Sequence, residues 1–148
     1  MKFAALAISA ILCVAPALAL AADATPVGLW KNIDDETGKP KALIRITENN
    51  GVLQGQIEKL FREPNEDQAP NSEKCEGARK DQPIIGMVIL TGLKKDGDEF
   101  TGGEIVDPKN GNVYKSKLSL SDGGKKISMR AYKGVPMLGR TQTWLREE

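Results

Sequence analysis

The sequence predicts an all-β fold, an eight-stranded antiparallel up-and-down barrel. Two observations carry that prediction. After Ala21 no stretch sustains the apolar period of a helix, and short β-type runs recur instead. These runs are punctuated mostly by Gly, Asn and Asp, the residues of hairpin turns. Eight hairpin-joined strands in an open sheet leave two edges to protect, and closure removes both. An open β-sandwich is the alternative arrangement of the same strands.

Val27–Asn32 is the first predicted strand, followed by the polar turn Asp34-Asp35-Glu36-Thr37-Gly38-Lys39-Pro40. Ala42–Glu48 is the second. Asn49-Asn50-Gly51 then makes a hairpin turn, because Asn and Gly tolerate positive φ. Val52–Leu60 is the third. Arg62–Pro83 breaks the pattern with Pro64, Pro70 and Pro83, many charges and Cys75. At 22 residues it is long for a structureless loop and reads as a lid, a binding loop or a partly helical excursion. Ile84–Leu93 is the fourth predicted strand, with Gly86 as a bulge or bend, and Lys94–Asp98 turns the chain. Glu99–Val106 is the fifth, ended by Asp107-Pro108-Lys109-Asn110-Gly111. Asn112–Leu120, the sixth, alternates Tyr114, Ser116, Leu118 and Leu120 on one face with Val113, Lys115, Lys117 and Ser119 on the other. After the turn Ser121–Gly124, the seventh strand, Lys125–Tyr132, turns Ile127, Met129 and Ala131 inward. Gly134-Val135-Pro136 breaks it, and Leu138–Arg146 is the eighth.

Residues 1–21 read as a secretory signal peptide: Lys2, then the apolar stretch Phe3–Pro16, then small residues at alternating positions up to Ala21. A retained membrane anchor is the alternative, and Pro16 and the small-residue end favour cleavage. Cys13 lacks the preceding small residue that lipidation processing needs. The expected location is the periplasm or the exterior. Residues 22–148 would then form a single barrel domain without a membrane span, its segment 62–83 a long loop or lid. Removal of Lys2 leaves 20 basic and 20 acidic residues, and removal of Cys13 leaves Cys75 as the only thiol. An odd Cys in an exported chain points to intermolecular pairing or a free thiol. Arg62–Pro83 is expected to be exposed and mobile, so a disulfide-linked homodimer through Cys75 is predicted.

Composition removes several classes of activity. The full chain carries 21 basic and 20 acidic residues, which argues against a nucleic-acid partner. It contains no histidine, which removes Ser-His-Asp and Cys-His catalysis and histidine-based zinc sites. The polar outer faces, with Lys115, Lys117 and Arg130, argue against an outer-membrane pore. Asp34-Asp35-Glu36 and Asp96-Gly97-Asp98-Glu99 fall in expected turns without the spacing of a calcium loop. No Gly-rich phosphate loop opens a helix. The chain is therefore read as a non-enzyme without a metal or cofactor. Lys115, Lys117, Lys125, Lys126, Arg130 and Lys133 cluster on the last hairpins, where they offer contact with anionic envelope components; outward charges on a strand are ordinarily just solvated, and the zero net charge after cleavage favours that.

Gly28-Leu29-Trp30 near the start and Arg146 at the end are similar to the lipocalin and calycin pattern. There a Gly-x-Trp packs under an Arg from the last strand and closes the barrel base. Pro83-Ile84-Ile85-Gly86-Met87, Gly102-Gly103-Glu104-Ile105-Val106-Asp107-Pro108, Asn110-Gly111-Asn112-Val113-Tyr114 and Leu138–Arg146 together resemble the domain of unknown function (DUF) 2147 family, from about Val27 onward. The resemblance implies an exported bacterial protein with a lipocalin-like barrel and no agreed activity. It gives Gly28, Trp30 and Arg146 the role of barrel closure. One departure stands out: many relatives carry Cys-x-x-Cys in the long loop, and Ser72-Glu73-Lys74-Cys75 keeps only the second thiol. Barrels of eight strands are either filled or hold one small ligand. Met87, Ile89, Phe100, Tyr114, Leu118, Met129 and Trp144 are the candidate lining of a pocket for a small apolar or amphipathic molecule. The other reading is an envelope interaction or scaffold protein with a filled barrel and working loops.

Overall fold

A computed structural model of the chain describes residues 24–148, together with Ile11 and Cys13. The predicted signal peptide, those two positions apart, lies outside the described residues. The eight strands are β1 (Gly28–Ile33), β2 (Pro40–Asn49), β3 (Val52–Leu60), β4 (Val88–Asp96), β5 (Glu99–Val106), β6 (Val113–Ser121), β7 (Lys126–Tyr132) and β8 (Gly139–Arg146). Each pairs antiparallel with its sequence neighbours, and β1 pairs with β8, so the sheet closes into a barrel. The predicted architecture is the observed one.

Antiparallel order sorts the connections to two ends. The base carries the short turns after β2, β4 and β6, together with Thr25–Val27 and the residues after Arg146. The mouth carries the four longer connections: 34–39, 61–87, 107–112 and 133–138. Period-2 alternation fills the interior between them. Trp30, Ile46, Leu93, Ile127, Met129 and Trp144 are fully buried, and Ile44, Leu53 and Leu118 nearly so. Each such side chain contributes about 1.5–3 kcal/mol when taken from water. Leu60, Phe100, Tyr114, Leu120 and Ala131 pack half-buried against that cluster.

The fourth strand differs from expectation. It begins at Val88, not Ile84, and continues through Lys94–Asp96, which read as a turn. Ile84–Met87 is a tight turn closed by the Met87 amide on the Ile84 carbonyl, 3.1 Å. Gly86 and Met87 are tied to β3 through Ile57, whose carbonyl accepts from the Gly86 amide at 2.7 Å and whose amide donates to Met87 at 2.9 Å. The apolar run Ile84-Ile85 belongs to that turn. The Lys-Lys-Asp run pairs along β5, Lys94 with Thr101 and Asp96 with Glu99, its side chains in water.

Most of the long segment is exposed, as expected, but it is anchored to the barrel at two buried residues, Ser72 and Cys75. Ser72, fully buried, is its hub. Its amide donates to Gln82 at 2.8 Å, its carbonyl accepts from Cys75 and Asp81, and its hydroxyl reaches the carbonyls of Arg79 and Gln82. A single turn of 3-10 helix, Gly77–Arg79, lies inside this loop. Cys75 is only 2% exposed and joins the core cluster with Ile84 and Met87. The expected exposed thiol is therefore corrected. The neighbouring mouth loop seals it: at Gly111 the backbone comes so close to the Lys74 carbonyl that a Cβ would overlap it.

Candidate functional site

Three places bring polar chemistry together: the base, the upper interior and the mouth. At the base the Arg146 guanidinium stacks 4.3 Å from the centroid of Trp30, its register partner on β1. Its Nε donates to the Gly124 carbonyl at 2.8 Å, Nη1 to Val27 at 3.0 Å and Nη2 to Thr25 at 2.5 Å. The Trp30 indole donates to the Pro26 carbonyl at 2.8 Å. A Cβ at Gly28 would lie 2.5 Å from the Glu148 carbonyl and 2.7 Å from Arg146 Nη1, at a φ of +144°, so the close approach of the chain's end requires glycine here. Every donor points at main chain, which makes this a seal. Gly28, Trp30 and Arg146, to which the resemblance gave the role of barrel closure, lie together at this end of the barrel.

In the interior, Leu118, Met129 and Trp144 are at most 1% exposed, and Met87 and Ile89 are 7% and 6%. Phe100 and Tyr114 pack half-buried beside them. The proposed pocket lining is thus part of one packed cluster. Above Trp144 the interior turns polar. Asn32, 8% exposed, donates from Nδ2 to Gln142 Oε1 at 3.2 Å, and the Trp144 indole donates to the same oxygen at 3.3 Å. Asn32 Oδ1 and the fully buried Ser116 Oγ meet no protein partner. Desolvated polar atoms of this kind cost about 1–3 kcal/mol each. Alternation already placed Ser116 on the inner face, but nothing in its neighbours marked it as unpartnered.

At the mouth an open groove of about 570 Å³ runs between the long segment and the start of β4. Pro83, Ile85, Met87 and Val88 form its apolar side, and Glu76, Arg79 and Gln82 its polar side. Arg79 is half-buried. Its Nε donates to the Val88 carbonyl at 3.3 Å, which fixes the guanidinium against the apolar wall. No described carboxylate forms an ion pair with it. Of the residues proposed as pocket lining, Met87 alone borders this groove. Arg79 stood out in the sequence only as a basic neighbour of Cys75; its placement depends on the Ser72 hub. A second hollow, about 390 Å³, lies between β2, β3 and β4, bordered by Thr47, Gln54 and Thr91 without a charged side chain.

The two acidic turns are structural. Asp34 Oδ1 accepts from the Glu36 amide at 2.8 Å and the Thr37 amide at 3.3 Å. The Glu36 amide above all holds the Asp34 carboxyl below the usual carboxylate range, against a smaller opposing effect of burial. Asp35 takes Arg140 of β8 in a forked ion pair, with Nη2 2.7 Å from either oxygen. Those hydrogen bonds, and then the Asp35 charge, push the Arg140 guanidinium further up. At the other turn Asp96 Oδ2 accepts from the Thr101 hydroxyl at 3.2 Å.

A closed eight-stranded antiparallel barrel with Arg stacked over Trp at one end and the long connections at the other is a lipocalin-like fold. The chain belongs to the DUF2147 family, uncharacterized proteins conserved in bacteria, whose family model matches residues 28–146. Among solved structures it is similar to protein HP1028 from the human pathogen Helicobacter pylori, described as belonging to the lipocalin family. That likeness has a TM-score of 0.70 at 16% identity and covers 84% of each chain, and it shows the fold alone. No curated protein matches.

Proposed function

We propose that this protein is an exported lipocalin-like binding protein that takes a small amphipathic anion in the groove at its mouth. The observation that carries the reading is Arg79. A half-buried guanidinium without a described carboxylate partner, held against Pro83, Ile85, Met87 and Val88, presents one charge beside an apolar wall. A carboxylate or phosphate head would pair with Nη1 and Nη2, and an apolar body would cover the wall. Exposed Glu76 at the polar side selects against a ligand with a second negative charge there.

Anilinonaphthalene sulfonate, a fluorescent amphipathic anion, is the direct probe. Wild-type protein should enhance its emission saturably. Arg79→Gln should weaken that binding about tenfold, the effect of losing roughly one charge-assisted pair. Equal binding by Arg79→Gln would sink the reading. Native mass spectrometry of protein purified from its own host then identifies the ligand it carries.

The packed interior favours a second reading, an envelope interaction protein whose filled barrel is a scaffold for working loops. Crosslinking in the host separates the two: a protein partner captured at the mouth, together with no small molecule in native spectra, supports the second.

A further inference from the structure

The connection between β7 and β8 displays apolar side chains that the fold does nothing to hide. Val135 is 53% exposed, Met137 87% and Leu138 72%. The tip is nevertheless built. The Leu138 amide donates to the Val135 carbonyl at 3.0 Å, closing a turn. Arg130 on β7 braces it from below, donating to the Pro136 carbonyl at 2.9 Å, the Met137 carbonyl at 3.4 Å and the Thr141 hydroxyl at 2.9 Å. With its carbonyls turned to Arg130, the tip holds Met137 and Leu138 in water. The β6–β7 pairing ends at Lys115–Tyr132, at the foot of the tip. Val135, Met137 and Leu138 form an exposed apolar patch at the mouth end of the barrel.

Charge tells what covers it. Of the eight basic side chains over residues 113–146, Lys125, Lys126 and Arg146 lie at the base, Lys117 pairs with Glu99 and Arg140 with Asp35 and Glu36, which leaves Lys115, Arg130 and Lys133 toward the tip; the one acidic residue of that stretch is Asp122. Asp122 lies at the base, away from the tip. Exposed Lys115 and Lys133 flank the patch, Lys133 stacked 5.1 Å from the Tyr114 ring. A second copy of the chain is a poor fit: it would oppose like charges, and a few tip side chains fall well short of the roughly 1,200 Å² that a stable interface buries. A bilayer asks for less, since a few apolar side chains at the boundary of headgroups and acyl chains act together with basic residues beside lipid phosphates.

We propose that the β7–β8 tip docks the barrel, mouth first, on an anionic membrane surface. Val135, Met137 and Leu138 enter the boundary region while Lys115 and Lys133 engage lipid phosphates.

The test is co-flotation with vesicles of phosphatidylcholine alone or mixed with phosphatidylglycerol. Wild type and variants carry the same N-terminus, so differences between them read the tip. Wild type should float with the mixed vesicles, less so in high salt, and not with phosphatidylcholine alone. Met137→Ser with Leu138→Ser should weaken flotation about tenfold, and Lys133→Glu should weaken it by a similar factor. These side chains are exposed, so thermal melting should not move, which separates lost docking from lost folding. Met137→Trp should show blue-shifted emission only with the mixed vesicles. The proposal is overturned by no flotation of wild type with phosphatidylglycerol, by undiminished flotation of the double Ser variant, or by a tip-dependent dimer that ignores vesicles. Equal retention of wild type and the double Ser variant on a soluble polyanion, without flotation, would also overturn it by showing that charge alone acts.

Discussion

Arg146 directs its guanidinium at three main-chain carbonyls and one indole face, joining Thr25, Val27 and Gly124 to β8. Arg146→Leu removes all of these at once. The expected cost is about 2–4 kcal/mol, read as a lower urea midpoint at unchanged slope. Cys75 behaves oppositely to an exposed thiol. Its burial predicts slow modification by thiol reagents in native protein, full modification on unfolding, and monomer on non-reducing gels. The dimer expected from the sequence depended on exposure, so a covalent dimer in native protein would show that the long segment detaches. Asp34 sets an acid dependence. Its carboxyl is held low in the folded state, so its contribution is present above the unfolded carboxylate pKa and fades as pH falls through the lower folded value. A carboxyl NMR titration should place the Asp34 midpoint below that of an ordinary aspartate, and Asp34→Ala should abolish the accompanying shift at the Glu36 and Thr37 amides.

Among the elements, the long segment and the loop 107–112 fold against each other. Gly111→Ala forces a methyl into the Lys74 carbonyl and a non-glycine residue into positive φ. Loosening of the segment should follow, with faster thiol labelling of Cys75 while the β-sheet circular dichroism stays the same. The strands themselves were legible in advance. Turn chemistry at Asn50-Gly51 and Asp107–Gly111, and alternation in Val113–Ser121 and Lys126–Tyr132, are local signals, and local signals set β3, β5, β6 and β7 to within a residue. The start of β4 was not legible, because Ile84-Ile85 has the apolarity of a strand and only its tie to Ile57 makes it a turn. The groove was not legible for the same reason. Arg79 is positioned by Ser72 and Val88, contacts that no spacing in the sequence announces.

At the scale of the whole molecule, the barrel is closed unevenly. β7 and β8 share seven register pairs, while β1 and β8 share three, from Trp30–Arg146 to Asn32–Trp144. Above these the seam is joined by side chains, Asn32 to Gln142 and Arg140 to Asp35 and Glu36. The upper part of β8 should therefore exchange its amide hydrogens faster than the β2–β3 hairpin. Arg140→Ala should speed exchange over Gly139–Thr143 and leave β2 and β3 unchanged. Uniform protection around the barrel would show that the side-chain clasp is not what holds the seam.

The seam also imposes an order of events on the growing chain. Trp30 meets Arg146, 116 positions later (146 − 30), so the first strand to be made finds its second neighbour only when the last is complete. The strands between them pair with the hairpin partner that precedes them, at little delay. Closing so long a loop adds only slowly to the entropic cost, so waiting time, more than free energy, is the constraint. During that interval β1 is paired on one side and its other edge is free to accept the β8 of a second chain. A chain stalled before Thr141 presents two such edges, on β1 and β7, and strand-swapped dimers are its expected product.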